Sequence, residues 1–179
     1  MKPEMVFTRR FSMGHRLIHS GSDVCALPHG HNEYVKVYLH PVQTVRLDGR
    51  ANMIQAFSEA KSTWHRFVDT KIDHALQLSE DDPLLEWFFT HEPQRAQRIM
   101  VTPGDPTTEL TACLLLAKLN AFLQANGNIL ACQKIMLEET PTNTVTYEGN
   151  PHDFLPLSDR AENERWWCRP DMSIADCKN

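Results

Sequence analysis

Two segments near the N-terminus alternate hydrophobic and polar residues with a period of two. Residues 5–15 (MVFTRRFSMGH) and 31–42 (HNEYVKVYLHPV) are rich in β-branched and aromatic side chains, so each is predicted to form a strand. The stretch between them, residues 21–30, contains Gly, Ser, Asp and Pro and is predicted to be a loop. Four alternate positions of the second strand share one face: Glu33, Val35, Val37 and Leu39.

Two later segments show the three- and four-residue spacing of helices. Apolar residues recur with this spacing over residues 52–69, which predicts a first helix. A second helix is predicted over residues 107–125, where Asp105 can cap the N-terminus and Gly127 follows the C-terminus. Because apolar residues surround much of this second helix, we expect it to be largely buried.

The segments that remain complete the order of elements. Residues 72–83 (IDHALQLSEDDP) are polar and end in proline, which predicts a loop, and residues 98–103 (RIMVTP) resemble a short strand. Residues 132–140 and 142–149 predict two further strands. The order strand, strand, helix, helix, strand, strand indicates the α+β class, with an antiparallel sheet covered by two helices on one face.

The C-terminal residues differ in composition from the rest of the chain. Residues 150–179 carry several prolines, many charges and the sequence RWWCRP. Because two adjacent tryptophans are costly to leave in water, we expect part of this tail to dock on a surface. The sequence therefore predicts a domain over residues 1–149 and a C-terminal extension over 150–179, packed on that domain or on a neighbouring subunit.

Composition narrows the class of protein. The 179 residues are 41% hydrophobic and 23% charged, as in ordinary soluble domains. No apolar run approaches the ~20 residues of a membrane span, and the N-terminus lacks the apolar region of a signal peptide, so we expect a cytoplasmic protein without membrane contact. The net charge of -5 argues against a broad nucleic-acid surface. The five cysteines form no CxxC pair, which disfavours a disulfide framework and a four-thiolate zinc site.

Three of the nine histidines fall where two strands are predicted to meet. His29 and His31 are two residues apart, so an extended backbone points both imidazoles the same way. His15 ends the first strand and can approach this pair as a third ligand. Three neutral imidazoles would leave one position of a tetrahedral zinc ion open, which is typical of catalytic sites. An isolated HxH pair is also compatible with ordinary surface or core histidines, and with a cupin-like barrel whose usual acidic ligand is missing here.

Two other short stretches carry candidate proton-transfer groups. Cys25 would form a thiolate base if a cation lay beside it, whereas an inert, half-buried cysteine is the alternative. In IDHAL, His74 can exchange protons, and Asp73 can fix the orientation or the charge of its imidazole. Side chains of residues adjacent in sequence do not easily hydrogen-bond to each other, however. In LEET, Glu138 and Glu139 alternate along a strand, so one faces solvent and the other is directed inward towards a partner.

Five motifs occur in one order along the chain: FSMGHRL, a cysteine four residues before HGH, IDHALQL, DPTTEL and LEET. This ordered set resembles the 6-pyruvoyltetrahydropterin synthase / 6-carboxytetrahydropterin synthase family and covers residues 7–147. The resemblance implies the tunnelling fold (T-fold), in which ββααββ subunits assemble into oligomeric barrels. It also implies a homo-hexamer whose active sites lie between subunits.

The resemblance implies roles for nine residues. Three positions match the family's zinc (Zn2+) ligands: His15, His29 and His31. Three match its catalytic proton-transfer group, with the cysteine as general base: Cys25, Asp73 and His74. Three match its pterin contacts, the carboxylate being the anchor: Thr107, Thr108 and Glu139.

The same resemblance implies a small-molecule substrate, 7,8-dihydroneopterin triphosphate, and a lyase reaction. The cysteine four residues before HGH and the compact core favour the branch that yields 6-carboxy-5,6,7,8-tetrahydropterin for queuosine and other deazapurines. Elimination of triphosphate to give 6-pyruvoyltetrahydropterin, on the tetrahydrobiopterin route, is the alternative product. A paralogue that binds a pterin or a metal without turnover is a further alternative.

Overall fold

The computed structural model describes residues 3–157 and 159–176 of the chain. Six strands form one sheet in the order β4-β3-β1-β2-β5-β6. The strands are β1 (Met5–His15), β2 (His29–Pro41), β3 (Ala75–Ser79), β4 (Ile99–Thr102), β5 (Leu130–Thr140) and β6 (Asn143–Glu148). The α-helices are α1 (Phe57–Phe67), α2 (Pro83–His91), α3 (Pro93–Ala96) and α4 (Thr108–Ala125).

The sheet is antiparallel among β1, β2, β5 and β6 and parallel at the side of β3 and β4, where β4 is the short strand expected over residues 98–103. β1 with β2, β2 with β5, and β5 with β6 all pair antiparallel, as expected. The loop predicted over residues 72–83 is wrong for β3, which runs parallel to both β1 and β4. Residues on both faces of β3 are buried for most of its length, so the strand lacks the alternation that marks a half-exposed strand.

The two predicted helices, α1 and α4, lie close to the expected positions with two differences, whereas α2 and α3 were not predicted. α1 begins five residues later than predicted, and its C-terminal end continues as a π-helical turn over Val68–Ile72. The cap of α4 is Thr107, whose hydroxyl accepts the backbone N–H of Leu110, and not Asp105 as predicted. The Asp105 carboxylate instead accepts backbone N–H groups of the segment that follows β1.

The apolar core lies between one face of the sheet and helices α1 and α4. Alternate residues of β1 and β2 are buried together with Trp64 and Phe67 of α1 and the apolar residues of α4. On the opposite face, Val6 of β1 and Tyr34 of β2 are exposed. A one-sided sheet of this kind fits the predicted pair of helices on one face.

The C-terminal tail packs against α4. Trp166 and Trp167 are buried, and the Trp166 indole N–H donates to the carbonyl of Val101 in β4 at 2.8 Å. Docking of the tail on the chain itself is therefore observed, while the division of the chain between residues 149 and 150 stays a prediction. Among the described residues, no helix has both the length and the hydropathy that a membrane span requires.

Candidate functional site

Three histidines converge at the end of β1 and the start of β2. The antiparallel register places His15 directly opposite His29, and His31 two residues further along β2. One ligand atom from each ring lies within 4.8 Å of the other two, and the Nε2 atoms of His15 and His29 are 3.0 Å apart. The structure thus brings together the three residues whose spacing predicted a metal centre.

The hydrogen bonds of two of these rings show which nitrogen faces the centre. His15 Nδ1 lies 3.0 Å from the carbonyl of Pro106, and His29 Nδ1 lies 2.8 Å from the carbonyl of Leu27. Since a carbonyl only accepts, each Nδ1 carries the proton and each Nε2 presents a lone pair. Two facing lone pairs repel unless a cation lies between them, so this donor set fits a divalent metal ion.

The spacing and protonation of the ring nitrogens agree with that fit. Two imidazoles on a tetrahedral zinc ion have their nitrogens about 3.3 Å apart, given Zn–N bonds of about 2.0 Å. Burial lowers the pKa of His15, which favours the neutral imidazole that metals bind. The three rings therefore form a site that could hold a divalent metal ion, and the backbone carbonyls of Pro106 and Leu27 orient two of them.

The glycine between the two β2 histidines is required by the close approach of β1. A Cβ atom added to Gly30 would lie 2.5 Å from the backbone oxygen of Met13. A side chain at this position would push the two strands apart at the point where His15 and His29 meet. The HGH motif therefore reflects a packing constraint as well as the ligands themselves.

A cleft of about 500 Å³ lies at the start of α4, one residue from Pro106. Its lining includes three predicted pterin contacts: Thr107, Thr108 and Glu139. The Thr108 hydroxyl donates to Glu139 Oε1 at 2.8 Å, which fixes the carboxylate. The preceding residue, Pro106, supplies the carbonyl that binds His15, so the cleft and the histidines share one segment of backbone.

Glu139 lies at an irregularity of β5 that sets its direction. The pairing of β5 with β6 shifts register between Glu138 and Thr140, so Glu139 falls outside the regular ladder. Such bulges redirect a side chain. Of the two glutamates that the sequence left open, Glu139 is the one directed into the cleft.

Glu33 is a polar residue of the site that the sequence reasoning did not select. It is 1% exposed, on the face of β2 that also carries His29 and His31. Its Oε2 is buried and has no hydrogen-bond partner in the described part of the chain. Burial, and after it the charge of Glu139, raises the pKa of Glu33 to about 8. The signal was present in the sequence as an acidic residue between two histidines and the apolar residues Val35, Val37 and Leu39 on one strand face.

Gln77 of β3 is a second buried polar neighbour that sequence reasoning missed. It is the Cα partner of His15 across the β1–β3 pairing, and it is fully buried. Its Oε1 accepts the hydroxyl of Thr111 at 3.0 Å, while its Nε2 has no partner among residues 3–157 and 159–176. Because Gln77 lies in a segment predicted to be a loop, no sequence pattern places it beside a histidine.

The predicted proton-transfer pair, Asp73 and His74, lies elsewhere on the chain. His74 Nδ1 is 2.9 Å from Asp73 Oδ2, and the Ser12 backbone N–H donates to Asp73 Oδ1 at 2.8 Å. That bond from Ser12 is the main cause that lowers the pKa of Asp73, so the carboxylate is ionised. His74 has a left-handed backbone (φ 62°) and a side chain that is 75% exposed.

Within one chain, the nine predicted residues therefore do not form a single site. The three histidines cluster, and the carbonyl that binds His15 belongs to Pro106, which directly precedes the cleft residue Thr107. His74 makes no hydrogen bond or ring contact with the histidine triad among the described residues. Cys25 is half-buried in the loop between β1 and β2, where its carbonyl accepts the Leu17 N–H at 2.8 Å. This bond keeps Cys25 near the end of β1, but its sulfur is not among the clustered ligand atoms.

Comparison with known proteins identifies the relatives of this chain. A family model described as 6-pyruvoyl tetrahydropterin synthase matches residues 4–150. The chain is 29% identical over 136 residues to the 6-carboxy-5,6,7,8-tetrahydropterin synthase of Rickettsia felis, covering 75% of this chain and 93% of the relative.

Solved structures share the fold. The 6-pyruvoyl tetrahydropterin synthase of Caenorhabditis elegans superposes with a TM-score of 0.51 at 27% identity, covering 83% of this chain and 97% of that one. An uncharacterized protein of Wolinella succinogenes superposes with a TM-score of 0.67 at 20% identity, covering 83% and 98% of the two chains. The predicted T-fold is confirmed, and, because the family model spans most of the sequence, this chain belongs to the 6-pyruvoyl tetrahydropterin synthase family.

Proposed function

We propose that this protein is a zinc-dependent lyase that converts 7,8-dihydroneopterin triphosphate into 6-carboxy-5,6,7,8-tetrahydropterin, on a route to queuosine and other deazapurines. Its family makes it a tetrahydropterin synthase-like lyase. The proposal adds the substrate, the product and the metal. The observation that carries it is the convergence of three imidazoles next to the cleft that holds Glu139.

In this proposal the metal ligands are His15, His29 and His31. Three protein ligands are typical of catalytic zinc, which keeps a coordination position for a substrate or water oxygen. When bound, zinc would supply Lewis-acid activation of the hydroxyls on the substrate side chain. The carbonyls of Pro106 and Leu27 support this role because they hold the Nδ1–H groups away from the centre.

The pterin ring would bind in the cleft through Glu139. A carboxylate can accept two parallel N–H bonds from the guanidine-like edge of a pterin, as it does from arginine. The hydroxyl of Thr108 already holds one carboxylate oxygen at 2.8 Å, which limits the rotation of Glu139. The cleft of about 500 Å³ is within the size range of small-molecule sites. Thr107 would contribute to the wall of the same cleft.

The proton transfers are assigned to Cys25, His74 and Asp73. Cys25, as a thiolate, would remove a proton from the substrate side chain, and His74 would return or relay one. Asp73 accepts the Nδ1–H of His74, which leaves His74 Nε2 free for this exchange.

We further propose that Asp73 and His74 serve the active site of a neighbouring copy in a homo-hexamer. The exposure of His74 and its separation from the triad within one chain support this arrangement. Cys25→Ala and His74→Ala should each be inactive alone. Mixed hexamers should regain roughly a quarter of the activity, because that fraction of shared sites receives both wild-type residues. Mixed oligomers that stay inactive would contradict shared sites.

The product assay tests the central assignment. Zinc-loaded protein is incubated with 7,8-dihydroneopterin triphosphate and the pterin products are identified by mass. We expect 6-carboxytetrahydropterin with acetaldehyde and released inorganic triphosphate. 6-Pyruvoyltetrahydropterin with triphosphate would instead support the alternative synthase, favoured by the Caenorhabditis elegans relative. Cys25→Ala should abolish turnover and keep zinc near one per chain. An absence of any product from zinc-loaded protein would contradict the enzymatic proposal.

A further inference from the structure

The buried carboxyl of Glu33 is a costly feature that the roles assigned above do not use. Its side chain is 1% exposed, and its Oε2 has no hydrogen-bond partner within the described residues. Burying a carboxyl without a partner costs several kcal/mol on the order-of-magnitude scale for such groups. Trp64 and His65 also leave one buried ring nitrogen each without a partner, but a neutral ring nitrogen costs less to bury than a carboxyl.

The position of Glu33 places it between the two halves of the site. Along one face of β2 the side chains follow in the order His29, His31, Glu33. In the pairing of β2 with β5, Tyr34 lies opposite Glu138, so the preceding residue of β2, Glu33, adjoins Glu139 of β5. Glu33 therefore lies on the sheet between His31 and the position of Glu139.

The packing around Glu33 offers no structural reason for a carboxyl. Its partner on β1 is Phe11, and the next positions on the same face of β2 are Val35 and Val37, all of them buried and apolar. An apolar side chain would continue this face without an unpaired oxygen. Within the described part of the chain no group pairs with its Oε2, so a polar atom of a bound molecule could do so.

We propose that Glu33 is a further substrate-contacting residue, whose carboxyl hydrogen-bonds a polar atom of the pterin ring between Glu139 and the histidine triad. The inference rests on the proposed function, because it needs a ring anchored at Glu139. The ring atoms between the guanidine-like edge and the side-chain carbon are nitrogens and a carbonyl oxygen. Each would lose a hydrogen bond against an apolar wall, so Glu33 would contribute affinity and fix the ring relative to the histidines.

The test compares three variants of zinc-loaded protein with unsubstituted pterin as the probe, read by the quenching of pterin fluorescence. Glu33→Leu should weaken pterin binding at least tenfold, keep zinc at the wild-type stoichiometry and raise the unfolding temperature, since an unpaired buried carboxyl is removed. Glu33→Gln, which keeps the shape, should show a smaller loss of affinity. Glu148→Gln, on the exposed surface of β6, is the control and should bind pterin as the wild type does.

The outcomes separate this inference from the proposed function. Pterin binding by Glu33→Leu at wild-type affinity would overturn the role of Glu33 alone. Loss of zinc or a lower unfolding temperature in Glu33→Leu would also overturn it, because the residue would then serve the metal site or the fold. An absence of pterin binding by the zinc-loaded wild type would contradict the proposed function and this inference together.

Discussion

Two buried polar environments in this protein differ in whether their atoms are paired. In the tail region, the Lys118 ammonium is fully buried, yet it donates to the carbonyls of Trp166 and Arg169, both at 2.8 Å, and to Asp171 at 3.2 Å. In the histidine region, Glu33 and Gln77 each keep one polar atom without a partner among the described residues.

This difference in pairing indicates that the Lys118 region stabilises the fold and that the histidine region binds a ligand. A buried charge with all its donors paired holds elements together, here α4 and the tail. An unpaired buried group costs stability and persists where a ligand is expected to pair with it. Substitutions at Lys118 should therefore change the free energy of unfolding. Substitutions around Glu33 and Glu139 should change the affinity for pterin.

The largest expected effect is on the tail region. Lys118→Ala should destabilise the protein by roughly 3 kcal/mol, because it leaves a cavity and unpaired carbonyls behind. Lys118→Met, which keeps the aliphatic stem, should cost roughly half of that. Urea unfolding measures both. Zinc content and pterin affinity should stay at wild-type values, and a loss of either would contradict the separation of the two regions.

An intermediate effect is expected from the cleft. Thr108→Val removes the donor that fixes Glu139, so pterin affinity should fall by about tenfold, equivalent to about 1.4 kcal/mol. The unfolding midpoint in urea should change little. Thr146→Val, at an exposed position of β6, is the matched control. Equal affinity in both variants would show that the Thr108 hydroxyl does not support the anchor.

The smallest effect concerns the pH dependence of the tail. Burial would raise the pKa of Asp171, but the hydrogen bonds from Ser173 and the charge of Lys118 lower it to about 2. A carboxyl with a lowered folded-state pKa stabilises the fold above its ordinary pKa of 3.8, and this contribution is lost as the pH falls towards 2. The stability difference between wild type and Asp171→Asn should therefore shrink from pH 5 to pH 2. A constant difference would contradict the ion pair.

The fold was predictable where the pattern is local and one-sided. Alternation defined β1 and β2 almost to the residue, since each exposes one face and buries the other. β3 was not predicted as a strand because it pairs with strands distant in sequence and is largely buried on both faces. The start of α2 had a readable signal, a capping Asp82 followed by Pro83, that was interpreted as the end of a loop.

The site was predictable only where the geometry of a single strand or of two paired strands determines which side chains meet. The spacing of His29 and His31 on a strand implied a shared direction, and their convergence with His15 follows from the β1–β2 register. Gln77 could not be placed there without β3. Glu33 was visible on an apolar face, but its lack of a partner is a property of tertiary packing that no sequence pattern reports.

The most direct test is the metal content of the purified protein, measured by mass spectrometry after zinc loading and removal of excess ion. One zinc per chain is expected for the wild type and for the control His152→Ala, whose residue lies outside the cluster. Less than a tenth of that amount is expected when His15, His29 or His31 is changed to Ala. Zinc retained at full stoichiometry by those three variants, or absent from the wild type, would contradict the metal centre.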